Sequence, residues 1–135
     1  VTRPVLAGPV LWSEGDGRDA VAERCAGRCE GCGAHWGGQA AHRQRRSQGG
    51  GWNPTNLVAL CGSGTTGCHG LQHARPYLFQ GLGWEVGPLE DPADIPVWIL
   101  TPFRVGPGWH LLAVETDAVG IRRHVVRLVE ARWIP

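Results

Sequence analysis

Asn56-Leu57-Val58-Ala59-Leu60-Cys61-Gly62-Ser63-Gly64-Thr65-Thr66-Gly67-Cys68-His69-Gly70 carries the strongest structural signal in this chain. An apolar run of strand length, residues 57–60, leads into a Gly/Ser/Thr loop bounded by two cysteines and then into a histidine that opens a helix-forming segment. Upstream lies a second pair, Cys29-Glu30-Gly31-Cys32, whose two-residue spacing lets one tight turn aim both thiolates at a single point. Zinc takes four ligands in a tetrahedron, at about 2.3 Å for each sulfur, and two knuckles brought together meet that demand. Gly62, Gly64 and Gly67 give the wider second loop the freedom to fold back. We therefore expect a structural Zn2+ held by Cys29, Cys32, Cys61 and Cys68. The fifth cysteine, Cys25, has two readings: a ligand in the register Cys25-x-x-x-Cys29, or a free, half-buried thiol on a helix, which is the expected one.

Working outward, residues 18–24 read as a short helix with Asp16 or Asp19 near its start and Gly27 past its end. Residues 39–43 read as a strand, 47–52 as a Gly-rich loop, and Asn53-Pro54 as a turn. A helix is expected over 69–80, with Leu71, Leu78 and Leu82 partly on one face and Pro76 as a kink or early stop. Beyond residue 83 the texture changes to β-rich segments at 84–86, 97–100, 109–114 and 121–129, separated by turn formers at 106–108 and 117–120. The fold class is α+β: a lead-in over 1–17, a zinc-stapled core over 18–82 and a small antiparallel β extension over 83–135, whose tryptophans are expected to be core.

The 135 residues suit one small domain, which often needs a staple. No apolar run approaches the roughly 20 residues of a membrane-spanning helix, and the N-terminal residues lack the pattern of a signal peptide. The expectation is a soluble, cytoplasmic protein without a membrane partner, in a compartment where paired cysteines bind metal. The formal net charge of +1 does not announce a nucleic-acid binder, and all 13 basic residues are Arg, a bias that composition alone can produce. Charge distribution is more informative. No Asp or Glu occurs from Gly31 to Trp84, whereas Arg43, Arg45, Arg46 and Arg75 all do, which suits a polyanion.

Between and after the cysteine pairs run Ala41-His42-Arg43, then Asn56-Leu57-Val58-Ala59-Leu60-Cys61, then Cys68-His69-Gly70. This succession over about residues 24–80 resembles the HNH endonuclease family, in particular small phage-type, zinc-containing members. A softer likeness to the tails of those phage proteins covers Gly83-Trp84 and residues 91–97. The resemblance implies a ββα-metal core in which His42 is the general base, Asn56 braces the loop and orients that base, and His69 binds the catalytic metal. It also implies double-stranded DNA as the partner, a phage gene in a bacterial host, and packaging proteins as further partners.

The chemistry of the residues runs the same way. Hydrolysing a phosphodiester needs a water activated near neutral pH, where imidazole titrates. It also needs a cation, Mg2+ or another divalent ion, against the charge that develops on phosphorus. His69 and His73 stand at i and i+4, so a helix turns both toward one ion. Arg43, Arg45, Arg46 and Arg75 are the candidate phosphate contacts. One position departs from the family pattern: Ala41 stands where many members carry a first metal ligand, so His69, His73, water and substrate phosphate would have to hold the ion. The alternative function is a catalytically degenerate zinc-knuckle module that binds nucleic acid or protein.

Overall fold

The computed structural model describes residues 12–100, 107–116, 118–119 and 122–128. The lead-in residues 1–11, the start of the turn at 106–108, and both ends of the 117–120 turn lie outside the described residues, as do both ends of the 121–129 segment.

The first helix, α1 (Glu14–Cys25), starts four residues before the expected 18, because Ser13 caps it by accepting a hydrogen bond from the Asp16 amide at 3.1 Å. It ends on Ala26, which takes a left-handed conformation ahead of Gly27. The expected strands form an antiparallel pair, β1 (Ala40–His42) and β2 (Leu57–Ala59), in the register Ala40 opposite Ala59, Ala41 opposite Val58 and His42 opposite Leu57. The expected helix over 69–80 divides into α2 (Gly67–Ala74) and α3 (Pro76–Gln80). Pro76 has no amide to continue α2, and Arg75, with φ −136 and ψ 62, turns the chain between them.

The β-rich tail forms one antiparallel sheet of β3 (Val97–Ile99), β4 (Gly108–Thr116) and β5 (Arg122–Leu128), in that order. Residues 84–86 are not a strand of it. That segment runs beside the end of β1 instead, tied by a Val86 amide to Arg43 carbonyl bond of 2.8 Å, with the Trp84 indole nitrogen donating to the Trp98 carbonyl at 2.8 Å. The change of texture at residue 83 does not separate two cores. Trp84, Val97, Ile99 and Leu112 pack in the same buried cluster as Cys29, Ala41, Val58 and Leu60. Trp84 is only 4% exposed and stacks on Phe79 at 4.9 Å.

The β1–β2 pair is buried on both sides, so residues 57–60 read as a continuous apolar run and not an alternating one. One face meets the cluster just named. The other contributes Ala40, Leu57 and Ala59 to a second cluster with Val21 and Cys25 of α1, flanked by Trp36 and Trp52. Gly17 lets α1 come this close: a Cβ there would lie 3.1 Å from the Trp52 Cβ and 3.2 Å from a Leu57 methyl.

Two buried guanidiniums lock these pieces. Arg24 makes a two-pronged pair with Glu30 at 2.9 and 2.7 Å and also donates to the Pro54 and Leu57 carbonyls. Glu30 in turn accepts from the Ala59 amide at 2.8 Å. With both side chains almost wholly buried, removing one partner leaves an uncompensated charge in the core. Arg24→Met is expected to cost about 3–5 kcal/mol in chemical denaturation of the zinc-loaded protein, as for other broken buried pairs. A loss near that of a surface substitution would show that the pair does not hold the fold.

Candidate metal centre and histidine site

The sulfurs of Cys29, Cys32, Cys61 and Cys68 all lie within 4.8 Å of one another. A tetrahedral zinc with sulfurs at about 2.3 Å requires about 3.8 Å between sulfurs, and Cys32 and Cys61 stand 3.7 Å apart. Amides of Gly31, Cys32 and Cys61 point at the Cys29 sulfur at 3.2–3.4 Å, and the Cys68 amide points at the Cys61 sulfur at 3.5 Å. Such donors stabilise thiolates, which is what a bound cation needs. The donor set and spacing fit a tetrathiolate zinc site. Cys25 stays outside it, 1% exposed in the second apolar cluster. The expected half-buried thiol is thus fully buried, and the alternative register is not used.

Backbone geometry explains how one loop delivers two ligands. Gly67 has φ +63, and a Cβ there would come within 2.6 Å of the Cys61 carbonyl oxygen, so the loop closes only with glycine at this point. The His69 amide then bonds the same carbonyl at 3.0 Å. Cys68 thus sits in the first turn of α2, with His69 directly after it.

The histidines gather beside this centre. His69 and His73 lie on the same side of α2, with ring centroids 4.6 Å apart. His42, at the end of β1, presents its ring edge-on to Trp52 at 4.5 Å. Burial, first, and then the charges of Arg46, Arg18 and His69 hold His42 below its ordinary pKa of 6.5. Burial followed by His73 does the same for His69. His42 Nε2 and His69 Nδ1 are buried without a hydrogen-bond partner.

Asn56 braces the loop that follows His42. Its Oδ1 accepts from the Gln44 amide at 2.7 Å, and its Nδ2 donates to the Gln44 and Gly51 carbonyls, each at 3.1 Å. Gln72, which the sequence did not single out, spans the gap between helix and strand by donating to the carbonyls of His42 (3.2 Å) and Trp84 (2.7 Å). Its place between His69 and His73 on α2 was the signal for it.

The arginines separate into different roles. Arg43, expected on phosphate, is completely buried, and its guanidinium donates to the carbonyls of Gly83, Thr55, Pro92 and Ile95 at 2.7–2.9 Å. Burial lowers its pKa to about 9, which still leaves it charged at neutral pH. Every direction from which a phosphate would approach is taken by backbone, so Arg43 is a clamp for the chain and not for substrate. Arg45 is exposed and reaches Glu85 at 3.6 Å. Glu85 follows directly on the acid-free stretch, and burial raises its pKa. Arg46 lies over the Trp52 ring, and Arg75 is exposed at the end of α2, apart from these contacts. Ala41 is 0% exposed and belongs to the apolar cluster of Cys29, Val58 and Trp84.

No protein-family model, curated protein or solved structure matches the chain. Among the described residues no helix is long and apolar enough to cross a membrane.

Burial raises the pKa of the Cys29 and Cys68 thiols, whereas amide donors lower that of Cys61. A metal must displace protons from the raised pair, so affinity rises with pH and the ion is lost on acidification. We expect one zinc per chain by mass spectrometry of the purified protein, shed progressively as pH falls. It should be lost in Cys32→Ser and retained in Cys25→Ser. Full zinc content in Cys32→Ser would exclude the four-sulfur site.

Proposed function

We propose that the chain is a divalent-metal-dependent HNH-type endonuclease that hydrolyses phosphodiester bonds of double-stranded DNA. The observation that carries this reading is that His42 of the strand pair and His69 of α2 each hold a buried ring nitrogen without a hydrogen-bond partner, with Gln72, three residues after His69, donating to the His42 carbonyl at 3.2 Å. The Asn56 brace behind His42 supports it.

In this mechanism His42 Nε2 takes a proton from water while the oxygen attacks phosphorus, and the bond from phosphorus to the 3′ oxygen breaks to leave a 5′-phosphate. Its lowered pKa keeps the imidazole neutral, and so able to accept that proton, at neutral pH. His69 and His73 are the residues that would hold Mg2+ or a related cation, which when bound would stabilise the charge on the phosphate oxygens and the leaving group. Gln72 fixes the distance between the two sides of the site through the His42 carbonyl. With the family resemblance, this reading extends to a role in phage DNA packaging or processing in the cytoplasm of a bacterial host.

One observation favours the second reading, a non-catalytic zinc-knuckle module that binds nucleic acid or protein. The four cysteines are the metal-binding group of three or more side chains found among the described residues; the histidines do not make another. Ala41 closes the place where a further ligand would stand.

Zinc-loaded protein incubated with supercoiled plasmid and Mg2+ or Mn2+ is expected to nick it. His42→Ala should lower the rate by about 10^2- to 10^4-fold, the usual worth of a general base. The acid limb of the rate profile should fall below pH 6.5, because the base is active only when unprotonated and its pKa is depressed. Nicking that survives His42→Ala would remove His42 from the role of base. No nicking with any divalent ion, together with retained DNA or protein binding, would establish the second reading.

A further inference from the structure

Arg18, Trp52 and Arg46 come from three separate places in the chain and converge beside His42. The Arg18 guanidinium lies 5.1 Å from the centre of the Trp52 ring, and that of Arg46 lies 5.6 Å from the same centre. The same ring meets the His42 imidazole edge-on at 4.5 Å. Two guanidiniums over one indole are held by attraction to the ring face, yet they repel each other. Glu14, one turn earlier on the same helix face, pairs with Arg18 at 3.7 Å, with both side chains about half exposed. A pair at that distance and exposure offsets little of the charge. Arg18 also donates to the Gly38 carbonyl at 3.3 Å, which steadies the guanidinium without neutralising it.

We propose that Arg18 and Arg46, seated on Trp52, form a phosphodiester-binding cradle that brings a backbone phosphate of duplex DNA up to His42. This rests on the nuclease reading for the identity of the ligand, and it adds α1 to the substrate-binding face. The cradle has the parts that such a ligand requires. Two planar, forked donors suit phosphate oxygens. Both are linked to His42 through Trp52, whose ring meets the imidazole at 4.5 Å. Trp52 is a rigid floor, because the backbone around it is pressed against Gly17 of α1. Glu14 then acts as a competitor, an exposed carboxylate that the phosphate displaces from Arg18.

The test is binding of a fluorescein-labelled mixed-sequence DNA duplex to the zinc-loaded protein, followed by anisotropy across a range of salt concentrations in buffer without added divalent ions. Arg18→Gln and Arg46→Gln should each weaken binding roughly tenfold, the scale of one charge-assisted hydrogen bond. Each should also make the salt dependence shallower by about one unit of slope. Glu14→Gln should tighten binding. Arg28→Gln, an exposed arginine on the knuckle whose guanidinium donates to the Gly33 carbonyl, is the control and should change little. Both Gln variants lie on the surface, and zinc content with circular dichroism confirms that they fold. Arg18→Gln and Arg46→Gln that bind as the Arg28→Gln control does, or a wild-type chain that binds no duplex, would overturn the cradle. Arginine-dependent binding without nicking under any metal would keep the cradle and remove the nuclease. Nicking that Arg18→Gln and Arg46→Gln leave untouched would do the reverse.

Discussion

The Glu30 carboxylate is the point on which the separate pieces of this protein depend. It lies inside the Cys29-x-x-Cys32 knuckle, receives Arg24 from α1, and accepts the Ala59 amide from β2. Its backbone joins as well: the Glu30 amide bonds the Ala59 carbonyl at 2.7 Å, and the Leu100 amide bonds the Glu30 carbonyl at 2.9 Å. One residue therefore connects a helix, a metal-binding turn, the strand pair and the end of β3. A charge so deep is tolerated because each carboxylate oxygen is met by a donor. The consequence is positional. The knuckle cannot swing away from β2, so its two sulfurs stay where Cys61 and Cys68 can reach them.

Arg43 does for the other side of the strand pair what Arg24 does for the first, but with carbonyls alone. Four backbone oxygens from Thr55, Gly83, Pro92 and Ile95 surround its guanidinium. Five donors in a rigid fork suit that task, and a lysine ammonium could not span the same acceptors. The segment 83–95 has little regular structure of its own, and this clamp holds it against the strand pair. Two neighbours in sequence thus differ: the His42 ring packs against Trp52, while Arg43 is sealed into the interior.

Much of this was legible where the signal is local. Cysteine spacing identified the four sulfurs, the Gly/Ser/Thr loop marked the approach to α2, and Pro76 marked the break between α2 and α3. Asn56 was picked out by its place in a motif, and it does span the loop after His42. What escaped were contacts made across long stretches of chain. Nothing local distinguishes buried Arg43 from exposed Arg45 and Arg46, because all three sit in one basic run; partners forty or fifty residues away decide their fates. Trp84-Glu85-Val86 has strand-like composition, yet its hydrogen bonds go to Arg43 and Phe79 and not to a sheet ladder. The Trp52 contacts with Arg18 depend on α1 packing through Gly17, which no spacing rule reports.

The position of Ala41 bears on how the two centres are related. Side chains alternate along a strand, so Ala41 and His42 point to opposite faces of β1. Ala41 faces the cluster shared with Cys29, Trp84 and the flanking sulfurs Cys61 and Cys68, whereas His42 faces Trp52. A larger ligand at position 41 would have to displace that packing, which supports the metal-binding knuckles. In this chain apolar closure beside the sulfurs occupies that space. His69 remains linked to the sulfurs through the backbone, since Cys68 precedes it and its amide is held by the Cys61 carbonyl. Any loosening of the four-sulfur site therefore moves the start of α2. Gln72, three residues on, donates to the His42 carbonyl at 3.2 Å, so a continuous path of bonds runs from the sulfurs through α2 to the end of β1.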